Sequence, residues 1–183
     1  GVALIACTAP FGAAVGAGIL LGGVTTLATD AVDGNGIDPR RILTGMVVGG
    51  VTGALTATGA GPIAFAAAGG VGAAADEFWA QNQAGQGYSL DKILLAGGVG
   101  ALTGGLSAKI NAATPARQAL SEGALGATAE SGNQVYGNVV HGEPYNPAKI
   151  GVAGLGGAAS GWAFHGVGPD PTPNSGPPQH AAG

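Results

Sequence analysis

Long uncharged stretches alternate along this chain with short polar clusters. Residues 1–29 and 42–75 carry no charged side chain, whereas 33–36, 81–87 and 137–144 are polar and rich in turn-forming residues. The apolar stretches are long, alanine-rich and without period-two alternation, so they predict helices, even at 46–48 where a β-branched pair would suit a strand. Prolines at 10, 62 and 115 open three of the apolar runs, and Gly61 and Thr114 stand where caps are expected. Those runs lead to acidic positions: Asp30, then Asp76 and Glu77, then Glu130.

A second set of helices is predicted by an ungapped repeat. The strings Ile37-Asp38-Pro39-Arg40-Arg41-Ile42, Tyr88-Ser89-Leu90-Asp91-Lys92-Ile93 and Tyr145-Asn146-Pro147-Ala148-Lys149-Ile150 align column by column. Asp38, Ser89 and Asn146 are suited to cap a helix, since a side-chain oxygen there can accept a free N–H of the first turn. Pro39 and Pro147 fit the first helical position, where an N–H is not needed. A base follows in each copy: Arg41, Lys92 and Lys149.

The alignment continues into the helices. Seven residues after each isoleucine stands Gly49, Gly100 or Gly157, and four later Gly53, Gly104 or Gly161. Glycines four apart share one helix face and let another backbone approach. Each costs a helix roughly 1 kcal/mol relative to alanine, so a ridge repeated three times requires a packing reason. The repeat unit is therefore a helix, a polar loop and a capped helix carrying a glycine ridge. The expected fold is all-α: three antiparallel hairpins, about six helices, packed through small-residue G-x-x-x-G ridges. The expected domain is 1–167, with units at roughly 10–60, 61–113 and 114–167. The glycines of the first run predict a possible break in its helix. Residues 168–183 have the composition of a proline-rich linker, and a start at Gly1 without methionine suggests a piece of a longer polypeptide.

Composition narrows the function. The chain has 38 glycines and only 9% charged residues, against about a quarter in ordinary soluble domains. Six Lys plus Arg with no basic cluster argue against nucleic acid binding, which needs grouped cations for phosphates. The single cysteine, Cys7, excludes an internal disulfide and reads as a small buried residue. His141, His165 and His180 share no ligand spacing, and no metal or cofactor is expected. Gly97-Gly98-Val99-Gly100 lacks the strand and the lysine that a phosphate loop requires. Asp76 and Glu77, adjacent on a helix, do not face one another. No catalytic constellation can be assembled.

Most of the charge falls at one end of the expected hairpins: acids close one helix, bases open the next, and each suits the neighbouring dipole. The ordinary meaning is a solvated rim. The sharper one is a bundle that enters a bilayer with its uncharged turns leading. Length permits spanning, while hydropathy, at about 1.4–1.6 per residue over 19-residue windows, is marginal.

The string 91–106 and the string 145–161 resemble the glycine-rich hydrophobic region of bacterial polymorphic toxins of the Rhs (YD-repeat) and contact-dependent inhibition types, which precedes a variable C-terminal toxin. The resemblance covers about residues 10–165, and the proline-rich segment fits the boundary before a toxin module. The chain has no Rhs core motif. The resemblance implies export from a bacterium and action at a target-cell membrane. The partners it implies are membrane lipid, the remainder of a larger toxin polypeptide, and a chaperone or immunity protein. The expected function is a non-catalytic translocation or pre-toxin domain; the alternatives are a pore-forming toxin and a soluble helical spacer or chaperone-docking module.

Overall fold

The computed structural model describes residues 2–34, 36–85, 87–110 and 114–167, with side chains from residue 11 onward. The segment 168–183, His180 and the side chain of Cys7 lie outside the described residues. The fold is all-helical: α1 (Val2–Asp33), α2 (Pro39–Thr58), α3 (Pro62–Gln83), α4 (Leu90–Ser107), α5 (Pro115–His141) and α6 (Pro147–Ala163). Consecutive helices pair as the hairpins α1–α2, α3–α4 and α5–α6.

Local chemistry sets the helix ends. Asp38 accepts a hydrogen bond from Arg40 N–H (2.8 Å) and Asn146 from Ala148 N–H (3.1 Å), each followed by proline at the first helical position. Thr114 caps α5 through Arg117 N–H. Ser89 occupies the corresponding place without a side-chain cap bond, and its hydroxyl donates to the Asp91 carboxylate in the first turn. Two helices run longer than the sequence suggests. Helix α1 begins at Val2 and continues through Pro10 and its glycines without a break, and Gly18, Gly22 and Gly23 are held against α2. Helix α5 extends to His141, five residues into the expected loop, and stops at Gly142, whose φ of 68° favours glycine.

The three hairpins close into a ring. Beyond the hairpin pairs, α2 meets α3, α4 meets α5, and α6 returns to α1. Among the described residues, no two helices facing each other across the ring come within 8 Å, Cα to Cα. The repeat thus builds a closed pseudo-threefold ring, not an open stack.

Within a hairpin the backbones touch. A Cβ at Gly49 would lie 2.0 Å from the Gly18 carbonyl oxygen, and one at Gly53 2.2 Å from that of Ala14. Gly100 and Gly104 stand against Gly69 and Phe65 at 2.4 and 2.3 Å. Gly157 stands against Glu122 at 2.4 Å, and Gly161 meets the Glu122 side chain and the Gln118 carbonyl at 2.8 and 2.9 Å. No side chain fits there, which is the packing reason for six costly glycines.

Candidate functional site: a charged ring interior inside an apolar shell

Burial is inverted relative to a water-soluble domain. Among the described residues, the fully buried hydrophobic ones are Ala14 and Ala96, while Asp30 (1% exposed), Arg41 (3%) and Gln81 are buried. Large apolar side chains point outward: Leu20 and Val24 on α1, Leu43 and Val47 on α2, Ile63 (87% exposed) and Val71 on α3. Leu94 and Leu102 on α4, Leu120 on α5 and Leu155 (74%) on α6 complete the circuit. All six helices contribute. A soluble monomer rarely exposes more than a few hundred Å² of contiguous apolar surface. One helix among the described residues is long and apolar enough to cross a membrane: Phe11–Asp33, mean hydropathy 1.7, with 11% of that window buried.

The charges that the sequence groups at one end are only in part a solvated rim: Arg40, Asp91 and Glu143 are exposed, whereas Asp30 and Arg41 are buried. Ion pairs among them join the hairpins in a cycle. Arg41 of the first hairpin donates from Nε and Nη2 to Asp76 of the second, at 3.2 and 3.0 Å. Lys92 of the second binds Glu143 in the segment joining α5 to α6. Lys149 of the third lies 2.8 Å from Asp33 of the first. Arg41 also donates to Asp30 on its own hairpin and lies 3.7 Å from Asp33. The three bases of the repeat column therefore each reach an acid of the next hairpin.

Behind them sits a second repeated device that the acid-and-base pattern alone does not reveal. Gln81 accepts from Ser89 N–H (2.7 Å) and donates to the Ser89 carbonyl (3.3 Å). Gln134 does the same with Asn146, at 2.8 and 2.9 Å. Asp30 takes the place in the first hairpin, accepting from Asp38 N–H at 3.0 Å. Each amide also donates to a glutamate four residues earlier, Gln81 to Glu77 (2.8 Å) and Gln134 to Glu130 (3.0 Å). The signal was a Glu-x-x-x-Gln shared by the second and third hairpins ahead of their caps, hidden by a differing loop length.

Glu77, Glu130 and Gln134, with Arg41, Lys92 and Lys149, border a cavity of about 260 Å³ reached by all six helices. Asn133 presents a buried Oδ1 there without a hydrogen-bond partner. At the outer edge Asp91 accepts from Ser89, Tyr136 (2.8 Å) and lies 2.8 Å from His141 Nε2. Those bonds, the Ser89 hydroxyl first, hold the Asp91 carboxyl well below the usual carboxylate range. The Asp91 acceptor in turn pushes the Tyr136 hydroxyl up. The opposite end is not charge-free, since Glu122 on α5 accepts from Ser107 on α4 at 2.8 Å. His165 borders a cavity at that end, far from His141, and no cluster of metal-ligating side chains occurs among the described residues. No protein-family model matches the chain, and neither a curated protein nor a solved structure is detectably similar to it.

Proposed function

We propose that this chain is a non-catalytic, membrane-embedded domain of an exported bacterial toxin, and that its ring of hairpins sits in the target-cell bilayer to present or pass on the toxin. The observation that carries the membrane part is the inverted burial: leucines, valines and isoleucines outside, and Asp30 and Arg41 inside. In water such a surface is costly, at roughly 25 cal/mol per Å² of apolar area. In lipid that cost disappears, and helix association then depends on close backbone packing of the kind the glycine seams supply. The apolar belt ends at the charged edge, where Arg40, Asp91 and Tyr88 face solvent. The toxin part rests on the resemblance of 91–106 and 145–161 to the glycine-rich region of polymorphic toxins.

Co-flotation of the purified chain with phosphatidylethanolamine–phosphatidylglycerol vesicles, at neutral and mildly acidic pH, tests this reading. The chain is expected to rise with the vesicles. A monodisperse chain left at the bottom of the gradient in both conditions would make it a soluble helical spacer.

A further inference from the structure

The ring does not close on a solid core. Three cavities lie in succession along it: about 260 Å³ at the charged end, 320 Å³ in the middle and 410 Å³ at the far end. Adjacent cavities share walls. Ala73 and Asp76 border both the first and the second. Thr52, Ser160 and Phe164 border both the second and the third. The Asp76 side chain, although it lies between two cavities, is 44% accessible, so solvent reaches that wall. The middle cavity is bordered by Thr25, Thr44, Thr52 and Ser160, and Phe164 stands at the wall it shares with the third.

The charges along this path have a definite sign. Five carboxylates border the first cavity, against the three bases Arg41, Lys92 and Lys149. Each base is engaged by an acid of the neighbouring hairpin. Glu77 and Glu130 form no ion pair among the described residues and are held by neutral amides. Asn133 adds an acceptor oxygen with no protein partner. A narrow path lined by an excess of carboxyl groups, with low-dielectric walls, concentrates counter-ions wherever those groups are ionised.

We propose that the ring axis conducts small monovalent inorganic cations, with Glu77 and Glu130 setting the preference for cations over anions. This rests on the membrane reading above, because only lipid around the ring makes the axis the water route. It is a property of one chain and requires no oligomer.

The test uses the full chain in planar bilayers under a potassium chloride gradient, with vesicle flotation run in parallel. The reversal potential is expected to shift toward that of potassium. In the doubly substituted chain (Glu77→Gln with Glu130→Gln) the potassium-to-chloride permeability ratio should fall about tenfold, the low end of enrichment by charged clefts. Phe164→Ala, at the wall shared by the second and third cavities and remote from Glu77 and Glu130, should raise unitary conductance while leaving that ratio unchanged. A chain that floats while its bilayers stay silent overturns the conduit and leaves the membrane reading standing. A chain that does not float overturns both. Currents that ignore both the paired glutamine substitutions and Phe164→Ala would put the path elsewhere and also overturn the proposal.

Discussion

The seams within the hairpins and the seams between them are built from different materials. Inside a hairpin, Gly18, Gly22, Gly49 and Gly53, and their counterparts in the other two, bring carbonyl oxygens against α-carbons with no room for a methyl group. Between hairpins, contact is by side chains: Arg41 to Asp76, Lys92 to Glu143, Lys149 to Asp33, with smaller contacts such as Gly72 against Val48 and Gly156 against Thr25. The first kind of seam is steric and indifferent to solvent. The second is electrostatic, concentrated at one end of the ring, and leaves space along the axis. Each hairpin is therefore a rigid piece, and the ring is an assembly of three such pieces that ion pairs fasten together.

The largest effect is expected from filling a hairpin seam. Gly100→Leu combined with Gly104→Leu forces side chains into the backbone of α3, and should cost about 3 kcal/mol or more, at or beyond the usual range for overpacking. Thermal unfolding followed by circular dichroism in detergent micelles or vesicles measures it. Retention of the wild-type melting temperature would show that α3 and α4 do not meet at these glycines.

Next comes the seam between the first two hairpins. Arg41→Met leaves Asp30 and Asp76 without their cation, while Asp33 keeps Lys149, and removing one partner of a buried pair costs about 3–5 kcal/mol. Lys92→Met, at a pair with a half-exposed glutamate, should cost about 1 kcal/mol or less. Equal losses in the two variants would contradict the burial of Arg41.

A glycine outside any seam should behave in the opposite way. Gly98 has nothing within 4 Å of where a Cβ would stand, so Gly98→Ala should stabilise α4 by up to about 1 kcal/mol. A loss of stability there would mean that a second surface packs on that face.

The smallest effect concerns acid. Asp91 has its pKa depressed in the folded chain by Ser89, Tyr136 and His141. Its contribution is present above the ordinary carboxylate value, near about 3.9, and is lost as pH falls below that value toward the folded one. Melting temperatures between pH 2 and 5 should fall less steeply for Asp91→Asn than for the parent chain. Parallel curves would remove Asp91 from the charged edge.

Much of this comparison was legible beforehand, and the division is instructive. The cap column at Asp38, Ser89 and Asn146 and the glycine ridges obey local rules of spacing, so repetition exposed them along with six helices. The ion pairs do not. Arg41 and Asp76 are 35 positions apart, and only ring closure decides that the base of one hairpin meets the acid of the next. That closure also turns Asp30 and Arg41, part of a charge cluster that reads as a solvated rim, inward. The paired amides of Gln81 and Gln134 escaped notice because the loops to their caps differ in length. The seating of Gly18, Gly22 and Gly23 of the unbroken α1 against α2 is likewise something no reading of α1 alone supplies.

Depth-dependent quenching tests the central claim, that the apolar outer face meets lipid, most directly. Cys7→Ser would remove the native thiol, and Leu155→Cys and Leu94→Cys, both on outer faces that are 74% exposed, would carry a fluorophore in vesicles containing brominated acyl chains. Strong quenching by the bromines with little quenching by aqueous iodide is the expected result. The reverse pattern at both positions would mean that these leucines face water or another protein, and the bundle would not be embedded in lipid.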